Sequence, residues 1–287
     1  MGNLEVHGSY LREIPKLSEN LLELYVESEK LEKNGDISRL NNLVYLTLVG
    51  GYQVATSNLE AIERFSNLKS LELRLDLPED VVLEINFSGL SHLENLQLSC
   101  WNFKDVPLQL SSCLSSLRLW HVRSNIQFCS LPSSLNKLTL SWCSNLNLME
   151  GLHLPRSIED LEFDNCGLLE KLSDLSGCMN LQKLRLINCI SLMEVSIPRE
   201  LKSLISLFIT GCVSSEKIEG LFELENLEDI QIDNREVNRD MEEIGTLQAR
   251  IGRGKSSYGE AGVWDGEEEE DESDRANRRG EVAAVVE

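Results

Sequence analysis

The apolar pattern L-x-x-L-x-L recurs along this chain with starts at Leu21, Leu43, Leu68, Leu93, Leu114, Leu135, Ile158, Leu181, Leu204 and Leu227. The starts lie 21 to 25 residues apart, and the last four intervals are each 23. A period of this kind constrains the fold more than any local propensity, because each copy is a small unit that cannot bury its apolar face alone. The clearest copies are Leu93-Leu96-Leu98, Leu114-Leu117-Leu119, Leu135-Leu138-Leu140 and Leu181-Leu184-Leu186. Ile158-Leu161-Phe163 and Leu227-Ile230-Ile232 are conservative variants. A further copy, Met1-Leu4-Val6, predicts that the chain starts inside a repeat.

Counting from the first leucine of each repeat, positions 4 and 6 point to one side of a short strand while positions 5 and 7 point to the other. Stacking the strands about 4.8 Å apart joins the leucines into one core, and each parallel neighbour requires a return segment whose crossover is right-handed. The expected fold is therefore α/β: a right-handed leucine-rich-repeat solenoid over residues 1–244 with a curved parallel sheet on its concave face. Leu96, Leu117, Leu138, Leu161 and Leu184 should form one buried row.

Where each strand turns away, at position 9, a small side chain able to hydrogen-bond main-chain groups is needed. Cys143, Cys166, Cys189 and Cys212 fill that place in four successive repeats and predict a structural cysteine ladder. Zinc thiols cluster within a few residues, whereas these come from separate coils, so neither a metal nor any other cofactor is expected. Cys113, Cys129 and Cys178 fall in returns, and Cys100 at position 8. Each proline follows an aliphatic residue and avoids the strand cores, as suits a residue that cannot donate to a central ladder. The long return from Gly50 to Phe65 has room for a helical turn.

The net charge of −21 excludes the basic face that phosphate binding needs, so no nucleic-acid partner is expected. Met1 to Lys16 carries charged and polar residues throughout, and no apolar run approaches the roughly 20 residues that span a bilayer. These features predict a cytoplasmic protein, or one shared with the nucleus, with reduced thiols and no membrane contact.

Residues 245–287 hold 6 Lys/Arg and 11 Asp/Glu, including the run Glu267–Glu272, and predict a disordered acidic, Gly-rich tail. Within it Gly254-Lys255-Ser256 resembles part of a phosphate loop, but no apolar strand precedes it and no helix opens after it. The histidines His7, His92, His121 and His153 are scattered among repeats without catalytic spacing, so no enzymatic activity is expected.

What remains is a recognition surface. Positions 2, 3, 5, 7 and 8 should face the groove, and large aromatics there are costly to expose. Trp120, Trp142 and Phe208 stand out, with Arg118, His121 and Arg185 beside them in the stack. Trp and Arg are residue types enriched in binding hot spots. Acidic positions, Glu162 and Asp164 among them, flank this centre and suit a basic partner. Trp101, at position 9, is a candidate core plug.

The stretch from Leu131 to Leu146, L-P-S-S-L-N-K-L-T-L-S-W-C-S-N-L, and the phrase Leu175-Ser176-Gly177-Cys178-Met179-Asn180-Leu181 resemble repeats of plant intracellular nucleotide-binding leucine-rich-repeat immune receptors, especially those with a TIR domain. The resemblance covers about residues 1–244. It implies recognition of a pathogen effector or a guarded host protein, autoinhibitory packing against a nucleotide-binding domain, and a role in plant defence. An alternative is the substrate-selecting repeat domain of a ubiquitin ligase, although no F-box-like segment precedes the repeats; another is a general leucine-rich-repeat scaffold.

Overall fold

The computed structural model describes residues 2–8, 16–28, 37–51, 56–76, 85–99, 108–122, 130–143, 153–172, 175–212, 217–233, 251 and 284–286. In chain order the strands are β1 (Asn3–His7), β2 (Glu23–Ser28), β3 (Tyr45–Gly51), β4 (Ser70–Asp76), β5 (Asn95–Ser99), β6 (Ser116–Trp120), β7 (Lys137–Ser141), β8 (Asp160–Asp164), β9 (Lys171–Leu172), β10 (Lys183–Ile187), β11 (Glu194–Ser196), β12 (Ser206–Thr210), β13 (Lys217–Glu219), β14 (Asp229–Asp233) and β15 (Ala284–Val286).

Twelve of these form one sheet in the order β14-β12-β10-β8-β7-β6-β5-β4-β3-β2-β1-β15. Neighbours pair in parallel and in register from β1 to β14, so that Leu96 lies opposite Leu117, then Leu138, Leu161 and Leu184. All five are fully buried, with 0% exposure, as one aliphatic spine. The position 6 row beside it runs through Leu98, Leu119, Leu140, Phe163 and Leu186. The chain is a parallel β-solenoid whose core is the inward side of this sheet.

The outward side shows the complementary half of the alternation, since β5, β6 and β8 each bury every second residue. Between strands, the residue just before the first leucine ties each coil to the previous one. The Nδ2 groups of Asn42, Asn67, Asn180 and Asn226 donate to the carbonyls of Glu19, Asn41, Arg156 and Lys202 at 2.7 to 3.1 Å. Ser134 donates to the Ser112 carbonyl in the same way.

The expectation of an α/β class needs narrowing. Among the described residues helix is limited to α1 (Thr56–Ile62), in the long return where a helical turn was expected, the lone helical residue Ile251, and three short 3-10 turns. Repeats this short leave too little chain between strands for a regular helix. In the C-terminal half the returns form strands instead, and β9, β11 and β13 make a second parallel sheet. Its pairs, Glu194 with Lys171 and with Lys217, fall 23 residues apart, the interval that separates the leucines. Equal contour lengths bring equivalent residues side by side on both faces at once.

Of the tail, β15 lies antiparallel to β1, with Leu4 opposite Val286, and Ile251 packs against the core. The acidic run 267–272, the Gly254-Lys255-Ser256 segment, Cys100, Trp101 and Cys129 lie outside the described residues. Among the described residues no helix is long and apolar enough to cross a membrane.

Candidate binding surface

The sequence-selected residues share the outward face of five consecutive strands. Arg118 and Trp120 are on β6, Glu162 and Asp164 on β8, Arg185 on β10 and Phe208 on β12, while His121 and Trp142 follow the ends of β6 and β7. Glu162, Arg185 and Phe208 stand directly opposite one another. Trp142 is 50% exposed, the other large side chains less so.

Trp120 is already provided for by the chain itself. Its ring carries the Arg118 guanidinium 5.0 Å from the centroid and that of Arg74, from two repeats earlier, at 5.3 Å. The electron-rich indole face attracts such cations. Arg74 is also held by Glu72, Nε to Oε1 at 2.6 Å. Sequence reasoning missed Arg74, because nothing in linear order shows that Trp120 reaches across Ser99, its register neighbour on β5, toward β4.

Arg185 is committed as well. Its Nη1 donates to Glu162 Oε2 at 2.9 Å and lies 3.6 Å from Asp160, which also pairs with Lys137 at 3.2 Å. The acidic side of β8 is thus compensated at Asp160 and Glu162. Asp164 has no such cation among the described residues; its Oδ1 accepts from the neighbouring Asn165 side chain at 2.8 Å.

At position 8 the backbone adopts a left-handed conformation in five successive repeats. The φ angles are 50° at His121, 55° at Trp142, 51° at Asn165, 51° at Asn188 and 66° at Gly211. This geometry prolongs the ladder beyond the strand ends: Trp142 N–H donates to the Asp164 carbonyl and Asn165 N–H to that of Ile187, both at 2.8 Å. Asn and Gly suit this conformation, whereas bulky residues pay roughly 1 kcal/mol for it. The Asn165, Asn188 and Gly211 row was the signal in the sequence. His121 and Trp142 sit there against backbone preference, and their rings stack at 5.6 Å with 17° between planes.

One step further, at position 9, the cysteine sulfurs reach the position 6 carbonyls of the preceding repeat. Sγ of Cys166 lies 3.3 Å from the Leu140 oxygen, that of Cys189 3.6 Å from Phe163 and that of Cys212 3.5 Å from Leu186. Cys143 makes the equivalent contact to Leu119 at 3.7 Å. Hydrogen bonding along the row, with burial added, pushes the Cys166 and Cys189 thiols up to about 12, so they stay protonated, as unreactive donors.

Burial, and then repulsion from Glu162, push the Asp164 carboxyl above its usual range. A carboxyl that holds its proton more tightly when folded favours folding at low pH, and that benefit is lost as pH rises through the raised value. Asp164→Asn should therefore be more stable than the parent chain at pH 7 and no different at pH 3, where both states are protonated. Thermal melts at the two pH values check this; a parent chain that melts higher at pH 7 refutes it.

No protein-family model matches this chain, and no curated protein matches it. Among solved structures the chain is similar to a leucine-rich-repeat protein of Leptospira interrogans, at 16% identity and a TM-score of 0.29, over 86% of this chain and 93% of that one. The assignment of the fold rests on the register of the chain's own strands.

Proposed function

We propose that this chain is a non-catalytic protein-recognition module that captures its partner on the outward face of the main sheet, centred on β6 to β8. The observation that carries this is the half-exposed Trp142 stacked on His121, beside an indole already clasped by two guanidiniums. Rigid aromatic side chains on an open sheet face supply contact area at low entropic cost, and such anchors dominate interface energetics.

In its finer form the proposal makes the chain the ligand-sensing, autoregulatory repeat region of a plant intracellular immune receptor, or a relative of one. Its partner is then a pathogen effector, a guarded host protein or a nucleotide-binding domain, and its setting the cytoplasm. The support is the wording of the repeats around Leu131–Leu146 and Leu175–Leu181. Sequencing the full-length transcript tests it: a TIR domain and phosphate loop upstream agree with it, while a signal peptide and membrane span remove it.

The recognition surface has its own test. A random peptide library is panned on the immobilised chain and the selected peptides are footprinted by hydrogen exchange. Protection should fall on β5, β6, β7, β8, β10 and β12, and the double substitution Trp120→Ala, Trp142→Ala should weaken capture about tenfold or more with the circular-dichroism spectrum unchanged. Protection confined to the returns, or loss of the folded spectrum, defeats the reading.

A further inference from the structure

The two tryptophans of this surface differ in one respect. Trp120 has guanidiniums over its ring, whereas Trp142 has a histidine ring against it and no cation over it among the described residues. The strand order β6-β7-β8 puts Asp164 and Asn165 on the side of Trp142 away from His121. There the Trp142 N–H to Asp164 carbonyl bond, 2.8 Å, fixes the two residues together. Asn165 Nδ2 orients the Asp164 carboxylate without neutralising it.

The floor next to this corner holds one hydroxyl without a partner. Thr139, opposite Glu162 on the outward face of β7, is 2% exposed, and its Oγ1 has no hydrogen-bond partner. Asp160 Oδ1 on β8 also lacks a hydrogen bond, but the Arg185 guanidinium 3.6 Å away compensates its charge. A buried polar atom left unpaired costs free energy. Of the carboxylates on β8, Asp160 and Glu162 are paired with Lys137 and Arg185, so Asp164 is the one that calls for a ligand with N–H donors.

Resting on the reading of this face as the recognition surface, we infer that Trp142 and Asp164 form a guanidinium seat, which takes an arginine side chain of the protein partner. Arginine fits better than lysine because its planar fork stacks on an indole while donating in several directions. The chain builds the same pairing internally at Trp120, where Arg118 supplies the cation. The net charge of −21 draws basic segments toward the surface, and the seat selects among them.

The test uses the full chain labelled with 5-fluorotryptophan, with the Trp142 resonance assigned by Trp142→Phe. A capped tri-arginine peptide is titrated against it, with tri-lysine and tri-citrulline peptides as comparisons. The Trp142 resonance should shift saturably with tri-arginine, less with tri-lysine and not with tri-citrulline. Asp164→Asn should raise the apparent Kd roughly tenfold, and Glu94→Gln, an exposed acid paired with Lys69 away from the seat, should leave it unchanged. An unmoved Trp142 resonance, an equal response to tri-lysine, or equal losses in both acid variants overturns the seat. Library peptides that footprint on the main-sheet strands from β5 to β12 but carry no arginine would also overturn it, while the recognition surface itself would stand. Peptides that footprint elsewhere would defeat the surface whatever the titration shows.

Discussion

Leu161→Ala should lower the stability of the solenoid by about 3 kcal/mol and turn a single urea transition into a broad or two-step one. Leu161 is fully buried, and it lies in register between Leu138 and Leu184, so truncation leaves a cavity shared by three coils. In a compact domain a hole of this size lowers one global stability. Here each coil contacts mainly its neighbours, and the defect lies inside the stack, three strands from its β14 edge, so it also weakens the coupling between the coils on either side. Glu162→Ala, one residue along on the outward face, is the matched control and should cost far less, since it removes no core volume. A Leu161→Ala loss below 1 kcal/mol, or one equal to that of Glu162→Ala, would mean that the spine does not hold the molecule together.

The leucine rows are legible in the sequence because inward and outward positions alternate within a few residues, and a period of 21 to 25 then repeats that local fact along the chain. The outward face is legible only as a set of residues. Sequence spacing places Trp120, Trp142, Glu162, Asp164, Arg185 and Phe208 on one face, but how their side chains lean depends on neighbours from other repeats. Arg185 looks like a cation offered to a partner and is in fact spent on Glu162 and Asp160. Thr139 looks like an ordinary polar surface residue and is only 2% exposed.

The left-handed row and the second sheet are intermediate cases. Asn165, Asn188 and Gly211 at one repeat position are the residue types that accept a positive φ, and the constant interval of the last repeats foreshadows an in-register return. Each signal has meaning only once the repeats are stacked. The reason Trp142 occupies such a position is not legible at all, since it depends on the His121 ring beneath it.

The glycines of the C-terminal coils provide the second large effect, graded by what surrounds each one. Gly220 has φ of 89°, and a Cβ there would overlap the carbonyl oxygen of Ile197, a backbone atom that cannot turn aside. Nor can the segment slide away, because the Ile197 N–H donates to the Glu219 carbonyl at 3.0 Å and fixes β13 against the preceding return. Gly220→Ala should therefore cost about 2–4 kcal/mol, combining left-handed strain with steric displacement. Gly211 has φ of 66°, but the atom in its way is the Asn188 side-chain oxygen, which can rotate; Gly211→Ala should cost about 1 kcal/mol. Gly177 has open space around it, and its alanine variant should change little. Because neighbouring coils carry most of the coupling, the Gly220→Ala damage should appear in hydrogen exchange as faster exchange across residues 217–233, with the amides of β5 to β8 nearly unaffected. Equal melting temperatures for the Gly220→Ala and Gly177→Ala chains would show that the last return does not press on Ile197, and would remove the close backbone approach on which the second sheet's packing depends.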